Sequence, residues 1–320
     1  MIAAFIAIYL IWGSTYIGIR FAIETIPPFT LSAARFGLAG LIMLAIARVR
    51  GEAGVTAPQL RTAAIVGSLL MLANSLVGVA VKRIPSGIAA LLVAMTPLFM
   101  VILEWMRPGG KRPTWLVAVG LLVGLGGVGA LVGLGSLGDG ARIDLIGAGI
   151  VLLGSLTWSV GSIYSRHAQR PSSGLMNTGI QMLVGGVFVG LIGLARGELS
   201  TFHLSAVSTR SLLAWVYLLV FGSLIAFTAF VYLLRVSTPA RVATYAYVNP
   251  VVAVLLGWLL ADEPISARML VAAAIIVAGV ALITAAEGRT ASRPKPKERV
   301  VRSDEPDRER TDEMTITDSA

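Results

Sequence analysis

Long runs of apolar residues, separated by short polar stretches, organise most of the chain. An apolar run of about 20 residues is long enough to cross a bilayer as an α-helix. Ten such runs are present, and they predict spans at 3–23, 29–47, 62–81, 86–105, 114–134, 145–165, 174–195, 211–234, 241–261 and 267–285. Because each span must satisfy its own backbone hydrogen bonds in hydrocarbon, the pattern predicts a helix bundle.

The two ends of the chain need separate treatment. The first run lacks the positively charged start and small-residue cleavage site of a signal peptide, and Trp12 and Tyr16 lie late in it. It is therefore predicted to be an uncleaved span. Residues 287–320 are rich in charge, with Pro and Ser and no apolar face, and are predicted to be a disordered cytoplasmic tail.

The composition excludes a water-soluble protein. Apolar residues make up 56% of the chain, Gly adds 35 more residues, and only 13% is charged, against about 25% in a soluble domain. The mean hydropathy is +0.82. A cytosolic enzyme, a nucleic-acid-binding protein and a disordered protein are thus excluded, and a lipid bilayer is the expected partner. There is no Cys, which excludes disulfides and thiolate metal sites, and no cofactor is expected.

The basic surplus lies in the loops and predicts the topology. Residues 1–286 carry 18 basic and 8 acidic side chains. When alternate loops are assigned to two sides, one side has ten Lys or Arg and the other has six. The richer side usually faces the cytoplasm, and the tail adds eight more basic residues to it. Both termini are therefore predicted to be cytoplasmic.

The second five spans repeat the first five. A shift of 146 residues places Trp12 on Trp158, Arg20 on Arg166, Arg35 on Gln181 and Gly40 on Gly186. A shift of 153 residues places Pro97 on Pro250, Trp105 on Trp258 and Gly126 on Gly279. Chance matching between two apolar, Gly-rich sequences is the alternative.

An odd number of spans per unit has a geometric consequence. The copy must enter the membrane from the opposite side, so a pseudo-two-fold axis in the membrane plane relates the two units. Secondary transporters use this arrangement to alternate access between two faces. The predicted fold is therefore an all-α integral membrane protein, with ten transmembrane helices as two inverted five-helix repeats around a central cavity.

Three stretches of the sequence resemble EamA domains of the drug/metabolite transporter superfamily. They are WGSTY at 12–16 with Arg20, PPF at 27–29 and Arg35; IPSGIAA at 84–90 with TPLF at 96–99; and TYAYVNPVVA at 244–253 with Glu263. The resemblance covers both units and implies EamA repeats at 1–135 and 136–286. It implies an inner-membrane transporter with a central substrate cavity that exports metabolites or drugs. One departure is that Glu263, 13 residues after Pro250, has Gly110 as its counterpart after Pro97.

Proline interrupts the fourth and ninth spans near their middle, at Pro97 and Pro250. Interrupted spans at matching positions of two repeats indicate the substrate site of a transporter. Each proline leaves the carbonyl four residues earlier, of Val93 or Ala246, without its helical donor. Those carbonyls either face a polar cavity or mark a kink that only shapes packing.

Polar side chains at a similar depth are the other candidates for substrate binding. Because a buried polar group in lipid needs partners, they are expected to face the bundle interior. These residues are Asn74, Thr96, Gln181, Tyr245 and Asn249. Interhelical hydrogen bonding that only stabilises the bundle is the alternative for each of them.

Two tryptophans, Trp12 and Trp158, are predicted near mid-span, although Trp normally lies at the membrane interfaces. Trp105, Trp115 and Trp258 follow that rule. The first two are therefore candidates for the wall of a substrate cavity, suited to amphipathic or aromatic molecules or to cations over a ring face. Plain packing is the alternative.

Three charged residues fall within predicted spans. Arg20 is predicted to reach the outer surface and pair with Glu24, and Glu104 to reach the inner surface. Arg35 lies seven residues beyond Pro28, roughly 10 Å deep, where a charge is costly. Its partner is either a set of helix-end carbonyls or an anionic group on a substrate.

The predicted function is secondary transport of a small metabolite, amino acid or drug-like molecule, by alternating access and in the direction of export. An intramembrane enzyme and a non-transporting scaffold are the alternatives. The enzyme would need catalytic groups within the membrane, whereas His167 and His203 fall in predicted loops. No acidic residue is predicted near the bilayer centre, so proton coupling is unsupported, while facilitated diffusion and exchange stay open. The oligomeric state is not predicted.

Overall fold

The computed structural model describes residues 1–110, 112–132, 143–237, 239–242 and 244–291. Within these ranges the chain is helical and contains no strand. The helices are α1 (Ile2–Ala22), α2 (Pro28–Val49), α3 (Ala57–Ala80), α4 (Ser86–Val93), α5 (Thr96–Met106), α6 (Trp115–Val132), α7 (Leu145–His167), α8 (Gly174–Ala195), α9 (Glu198–Thr201), α10 (Thr209–Tyr217), α11 (Ala226–Val236), α12 (Pro239–Val242), α13 (Tyr245–Ala261) and α14 (Ala267–Ala291). A 3-10 turn, Leu204–Ala206, precedes α10, and a π-helical segment, Leu218–Ile225, joins α10 to α11.

Eight helical segments of the described chain are long and apolar enough to cross a membrane. Two of them combine shorter elements, since Ser86–Met106 contains α4 and α5, and Thr209–Phe230 contains α10 and the π segment. Two further apolar helices, Trp115–Leu131 and Val248–Ala261, are shorter. Each predicted apolar run therefore contains a helix, and the all-α membrane fold is confirmed at that level.

Two helices extend beyond their predicted runs. Helix α3 begins at Ala57, before the predicted residue 62, because Thr56 and Gln59 form a capping box with Pro58 in the first turn. Helix α14 continues through Ala291, into the first residues of the predicted tail. The rest of the predicted tail, 292–320, lies outside the described residues.

The two predicted proline interruptions differ in the structure. Helix α4 ends at Val93 and α5 begins at Thr96, so the chain breaks just before Pro97. Pro250 instead lies inside α13, which is continuous around it. Pro97 thus lies in the first turn of α5, where proline is tolerated. Pro250 lies in the interior of α13, where it removes one backbone hydrogen bond without ending the helix.

Glycines bring α2 and α8 into close contact in an antiparallel arrangement. Near the start of α2, Phe29 lies against Gly193, which is near the end of α8. Further along α2, a methyl group added at Gly40 would lie 2.8 Å from the carbonyl oxygen of Gly179, which is near the start of α8. The contacts therefore run in opposite directions along the two helices. Their backbones approach closely because small residues line the interface.

Helices α6 and α14 form a second close antiparallel pair. A methyl group at Gly120, early in α6, would lie 2.8 Å from the Ile283 side chain, late in α14. One at Gly127, later in α6, would lie 2.7 Å from the Ile276 side chain, earlier in α14. The glycines of α6 thus allow this helix to pack closely on α14 within the chain.

The buried apolar residues form one extended cluster and several smaller ones. The end that the loop charges predict to face outward is called the outer end below. The extended cluster joins helices of both halves, and it runs from Ile19 and Val81 at this end to Val117 and Ile283 near the opposite, inner end. Two smaller clusters lie at the inner end, one around Ala47, Ala63 and Met176 and one around Ile8, Leu233 and Val242.

Large apolar side chains cover the outside of the bundle. Leu41, Leu122, Leu191 and Val271 are each more than half exposed, at 54%, 68%, 59% and 58%. A surface of this kind is unfavourable in water and favourable against lipid tails. The outward faces of the long helices are therefore the lipid-facing surface.

Candidate substrate site

Trp12, in the middle of α1, is the centre of an aromatic cluster. Its ring lies 5.4 Å from that of Phe227, 5.1 Å from that of Phe230 and 5.0 Å from that of Tyr245, measured between centroids. Its indole N–H donates to the carbonyl oxygen of Gly222 at 3.3 Å. Trp12 of α1 and Tyr245 of α13, both predicted site residues, are therefore in contact.

The π segment Leu218–Ile225 provides the polar part of the same region. The hydroxyl of Ser223 donates to the carbonyl oxygen of Leu218, five residues earlier, at 3.2 Å. A π-helix is rare, widens the helix by one residue per turn, and often occurs at functional sites. It directs the Gly222 carbonyl and the Ser223 hydroxyl toward α1 and α2.

Arg35, on α2, reaches this π segment. The residue is only 4% exposed, and its Nε donates to the Ser223 hydroxyl at 2.8 Å. A methyl group at Gly222 would lie 2.9 Å from Nη2 of Arg35 and 3.2 Å from the Thr15 side chain. The Cζ atom of Arg35 lies 4.6 Å from the centre of the adjacent Phe36 ring. The predicted deep burial of this arginine is thus observed, next to the Trp12 cluster.

Asn249 and Pro250 lie one turn further along α13 and are both buried. The amide nitrogen of Asn249 is placed to donate to the carbonyl oxygens of Tyr9 and Tyr245, each at 3.2 Å. A methyl group at Gly13 would lie 2.6 Å from Val252, so α1 and α13 are in direct contact here. Asn249 therefore fixes α13 against α1 and holds the backbone that carries Tyr245.

Thr96 and Pro97 lie at the break between α4 and α5. The Thr96 hydroxyl donates to the Val93 carbonyl oxygen at 2.6 Å, and this is the carbonyl that Pro97 leaves without a helical donor. The backbone carbonyl of Thr96 accepts from the Ser159 hydroxyl of α7 at 3.1 Å. Part of the polarity predicted for this break is thus satisfied locally.

The other predicted site residues make contacts of their own. Trp158 packs against the buried cluster of Phe36 and Leu219, on which Phe227 of the Trp12 cluster also packs. Gln181 donates from Nε2 to the Asn177 side chain at 3.2 Å, within α8. Asn74 is half-buried in α3. The structure brings together Trp12, Tyr245 and Arg35.

Gly222 and Ser223 are the residues of this region that sequence analysis missed. A signal for them exists, because FGSL at 221–224 resembles VGSL at 66–69 in the third span. In the structure a methyl group at Gly67 would collide with the backbone of Gln181, just as one at Gly222 would approach Arg35. Gly67 therefore lies against Gln181 and Gly222 against Arg35, and the 146-residue shift places these last two residues on each other.

The predicted pair of Arg20 and Glu24 is wrong. Arg20 instead donates from Nη1 to the Val81 carbonyl oxygen at 3.0 Å and has its Nε 3.9 Å from Glu263 Oε1. Glu24 pairs with Arg210 at 3.4 Å. Residues four apart on a helix often pair, but α1 ends at Ala22. Glu24 is therefore no longer on the helix face that carries Arg20.

Two glutamates of the second half cap helices of the first half at the outer end. Glu263 accepts from the backbone N–H groups of Ser86 and Gly87, at 2.7 and 3.1 Å, at the start of α4. Glu198 accepts from the N–H and the hydroxyl of Thr30, at 2.8 and 3.0 Å, at the start of α2. Carboxylates at these positions accept hydrogen bonds from free backbone N–H groups and interact favourably with the positive end of the helix dipole.

Charged groups at the inner end form a smaller network. Glu104 lies 3.1 Å from the Arg107 guanidinium and 3.4 Å from His167 Nε2, so it reaches the inner surface as predicted. His167 is the last residue of α7 rather than a loop residue. A groove of about 630 Å³ beside it is lined by Arg61, Tyr164 and His167, among others. None of the predicted substrate-binding residues lines this groove.

Comparison with known proteins identifies the family. The sequence profile of the EamA-like transporter family matches residues 1–133 and 145–285. The chain belongs to this family. It is 38% identical to the uncharacterized inner membrane transporter YedA of Escherichia coli K12 over 286 residues, which cover 89% of this chain and 90% of that protein. It is therefore a membrane transporter and not an enzyme.

More distant relatives span nearly the same length. The uncharacterized transporter YvbV of Bacillus subtilis is 23% identical over 88% of this chain and 90% of its own length. A solved crystal structure matches with a TM-score of 0.60 at 22% identity, over 91% of this chain and 98% of its own. The chain therefore shares its fold with an experimentally determined structure.

Proposed function

We propose that this chain is a secondary transporter that exports a small metabolite, amino acid or drug-like molecule across the inner membrane by alternating access. The observation that carries the proposal is the antiparallel packing of helices on their own repeat counterparts. The repeat register pairs α2 with α8 and α6 with α14, and both pairs are antiparallel in the structure. Two units that point in opposite directions in the membrane require this arrangement.

Other helix contacts support the same inverted repeat. Under the repeat register, α1 corresponds to α7 and the α4–α5 pair corresponds to α13. Helix α1 packs against α13, and α7 packs against α5 and α4. Likewise α7 packs against α3, and α1 packs against α10 and α11. These contacts of one half thus have equivalents in the other, as expected for ten spans in repeats at 1–135 and 136–286.

Buried polar contacts between the halves at the outer end support alternating access. There Glu263, which is 7% exposed, and Glu198 accept backbone N–H groups across the two halves. At the inner end the contact between the halves that joins Glu104 and His167 is more exposed, at 29% and 42%. We assign this conformation to a state closed to the outside, with both termini in the cytoplasm. Transport then requires the outer contacts to break.

The proposed substrate site lies between α1, α2, the π segment and α13. Trp12 and Tyr245 form its aromatic wall, and Asn249 and Pro250 set the position of α13. The predicted binding roles of Thr96 and Pro97 at the α4–α5 break, and of Asn74, Trp158 and Gln181, are retained for other stages of the transport cycle.

A flux measurement tests this function. The purified protein is reconstituted in liposomes loaded with a defined mixture of metabolites, and efflux is followed by mass spectrometry with and without a pH gradient. The proposal expects at least one molecule of the mixture to leave faster than from protein-free liposomes. Equal efflux of every molecule from both kinds of liposome, by protein that remains folded, would overturn it.

A further inference from the structure

We propose that the Arg35 guanidinium binds the carboxylate of the transported molecule, so that the substrate is an organic anion. This inference rests on the proposed transport function and names the substrate class. It follows from the position of a charged side chain that the described residues leave without a counter-ion.

The burial of Arg35 is the first observation. The residue is 96% removed from solvent, with 4% exposure, and it lies in the first half of a helix that crosses the bilayer. A guanidinium stays protonated in proteins, and a buried charge is costly unless it is paired. Such a side chain therefore needs either a permanent partner or a visiting one.

The second observation is the incomplete set of partners. The recorded hydrogen bond of Arg35 uses only Nε, and its acceptor is a neutral hydroxyl, that of Ser223. Among the described residues, no Asp or Glu lies within ion-pair distance of Arg35. The two Nη groups bond to no described residue, yet neither is fully sealed from open space. Both groups therefore keep unused hydrogen-bond donors.

The third observation is the space at Gly222. A methyl group there would lie 2.9 Å from Nη2 of Arg35, so the absence of a side chain makes room for the guanidinium. The Gly222 carbonyl accepts from the Trp12 indole at 3.3 Å, which places the free end of the guanidinium beside the aromatic cluster. A planar guanidinium matches a carboxylate with two parallel hydrogen bonds. The adjacent rings suit the apolar part of an organic anion.

The asymmetry between the two halves supports a ligand-binding role. The equivalent residue in the second half is Gln181, whose side chain bonds to Asn177. Its neighbouring glycine, Gly67, lies in a regular α-helix, whereas Gly222 lies in the π segment. A charge needed only to hold the bundle together would be replaceable by an amide in both halves. In the described part of the chain, the rare helix form occurs only beside the arginine.

Binding of matched probes tests the proposal directly. Acetate, benzoate and 3-phenylpropionate are compared with their amides by isothermal titration on the full-length protein in nanodiscs. Wild-type protein is expected to bind at least one carboxylate about tenfold more tightly than its amide, the range of a charged hydrogen bond. Arg35→Gln is expected to remove this preference, and Arg48→Gln, at an exposed site on the same helix, is expected to retain it.

A second variant covers the case in which Arg35→Gln does not fold. Gly222→Ala keeps the charge but places a carbon against Nη2, and it is expected to weaken carboxylate binding with little effect on amide binding. Wild-type protein that binds no carboxylate better than its amide would overturn the proposal. So would Arg35→Gln protein that keeps the preference. If liposomes show flux of a neutral molecule while no carboxylate preference exists, the inference fails and the transport function stands.

Discussion

Breaking the Glu263 contact should open the outer end of the transporter. This carboxylate is 7% exposed and accepts two backbone N–H groups, of Ser86 and Gly87, across the two halves. It also lies 3.9 Å from the Nε of Arg20. Glu263→Gln preserves the size of the side chain but removes its charge and one acceptor oxygen. Under the proposed alternating access this contact breaks when the outer end opens, so its loss should favour the open state.

The size of the effect follows from these bonds. A hydrogen bond to a charged group contributes about 1.5–3 kcal/mol, and the amide keeps one acceptor, so the closed state should lose about one such contribution. Since about 1.4 kcal/mol corresponds to a tenfold change in an equilibrium, the ratio of closed to open molecules should fall about 10- to 100-fold.

Cysteine labelling measures this shift. The native chain has no Cys, so Thr15→Cys, half-buried beside Gly222, gives a single reporter without background. A membrane-impermeant thiol reagent added outside spheroplasts should label it faster when Glu263→Gln is present. Glu24→Gln is the matched control, because the pair of Glu24 and Arg210 is exposed at the same end and such pairs contribute little.

The outcome discriminates clearly. Faster external labelling with Glu263→Gln, and unchanged labelling with Glu24→Gln, is the expected result. Unchanged labelling in both variants, with folded protein confirmed by size-exclusion chromatography, would refute the role of Glu263 in closing the outer end.

Two further predictions concern packing and the site. Gly67→Ala places a methyl group against the Gln181 backbone and should destabilise the protein by about 1–3 kcal/mol. At Gly37 an added methyl group meets no neighbour, so Gly37→Ala should leave the stability unchanged. Equal melting temperatures of the two variants in detergent would contradict the packing described. Trp12→Leu should lower the transport rate per folded molecule in liposomes, whereas Trp105→Leu, at a 51% exposed position, should leave it unchanged. Equal rates in these two variants would remove Trp12 from the site.

The sequence alone predicts the helical elements well, because the apolar runs are long and lipid imposes strong limits on what can cross it. The burial of Arg35 follows from its distance beyond Pro28. The helix break near Pro97 is predicted from the missing N–H of proline, but Pro250 lacks the same group and lies inside a continuous helix.

The remaining features depend on contacts between distant parts of the chain. Arg20 was assigned to Glu24 on local spacing, whereas its partner Glu263 lies in a loop more than 200 residues later. The π segment has no distinct composition, and its contact with Arg35 through Ser223 joins residues 188 positions apart in the sequence.

The orientation of the two halves is the claim on which the transport proposal rests. The 146-residue shift places Gly54, after α2, on Ser200, after α8, and both are exposed. Single cysteines at these two positions can be labelled with an impermeant thiol reagent in spheroplasts and in inside-out vesicles. The account predicts that Gly54→Cys reacts only in inside-out vesicles and Ser200→Cys only in spheroplasts. Reaction of both cysteines from the same side would contradict the inverted repeat.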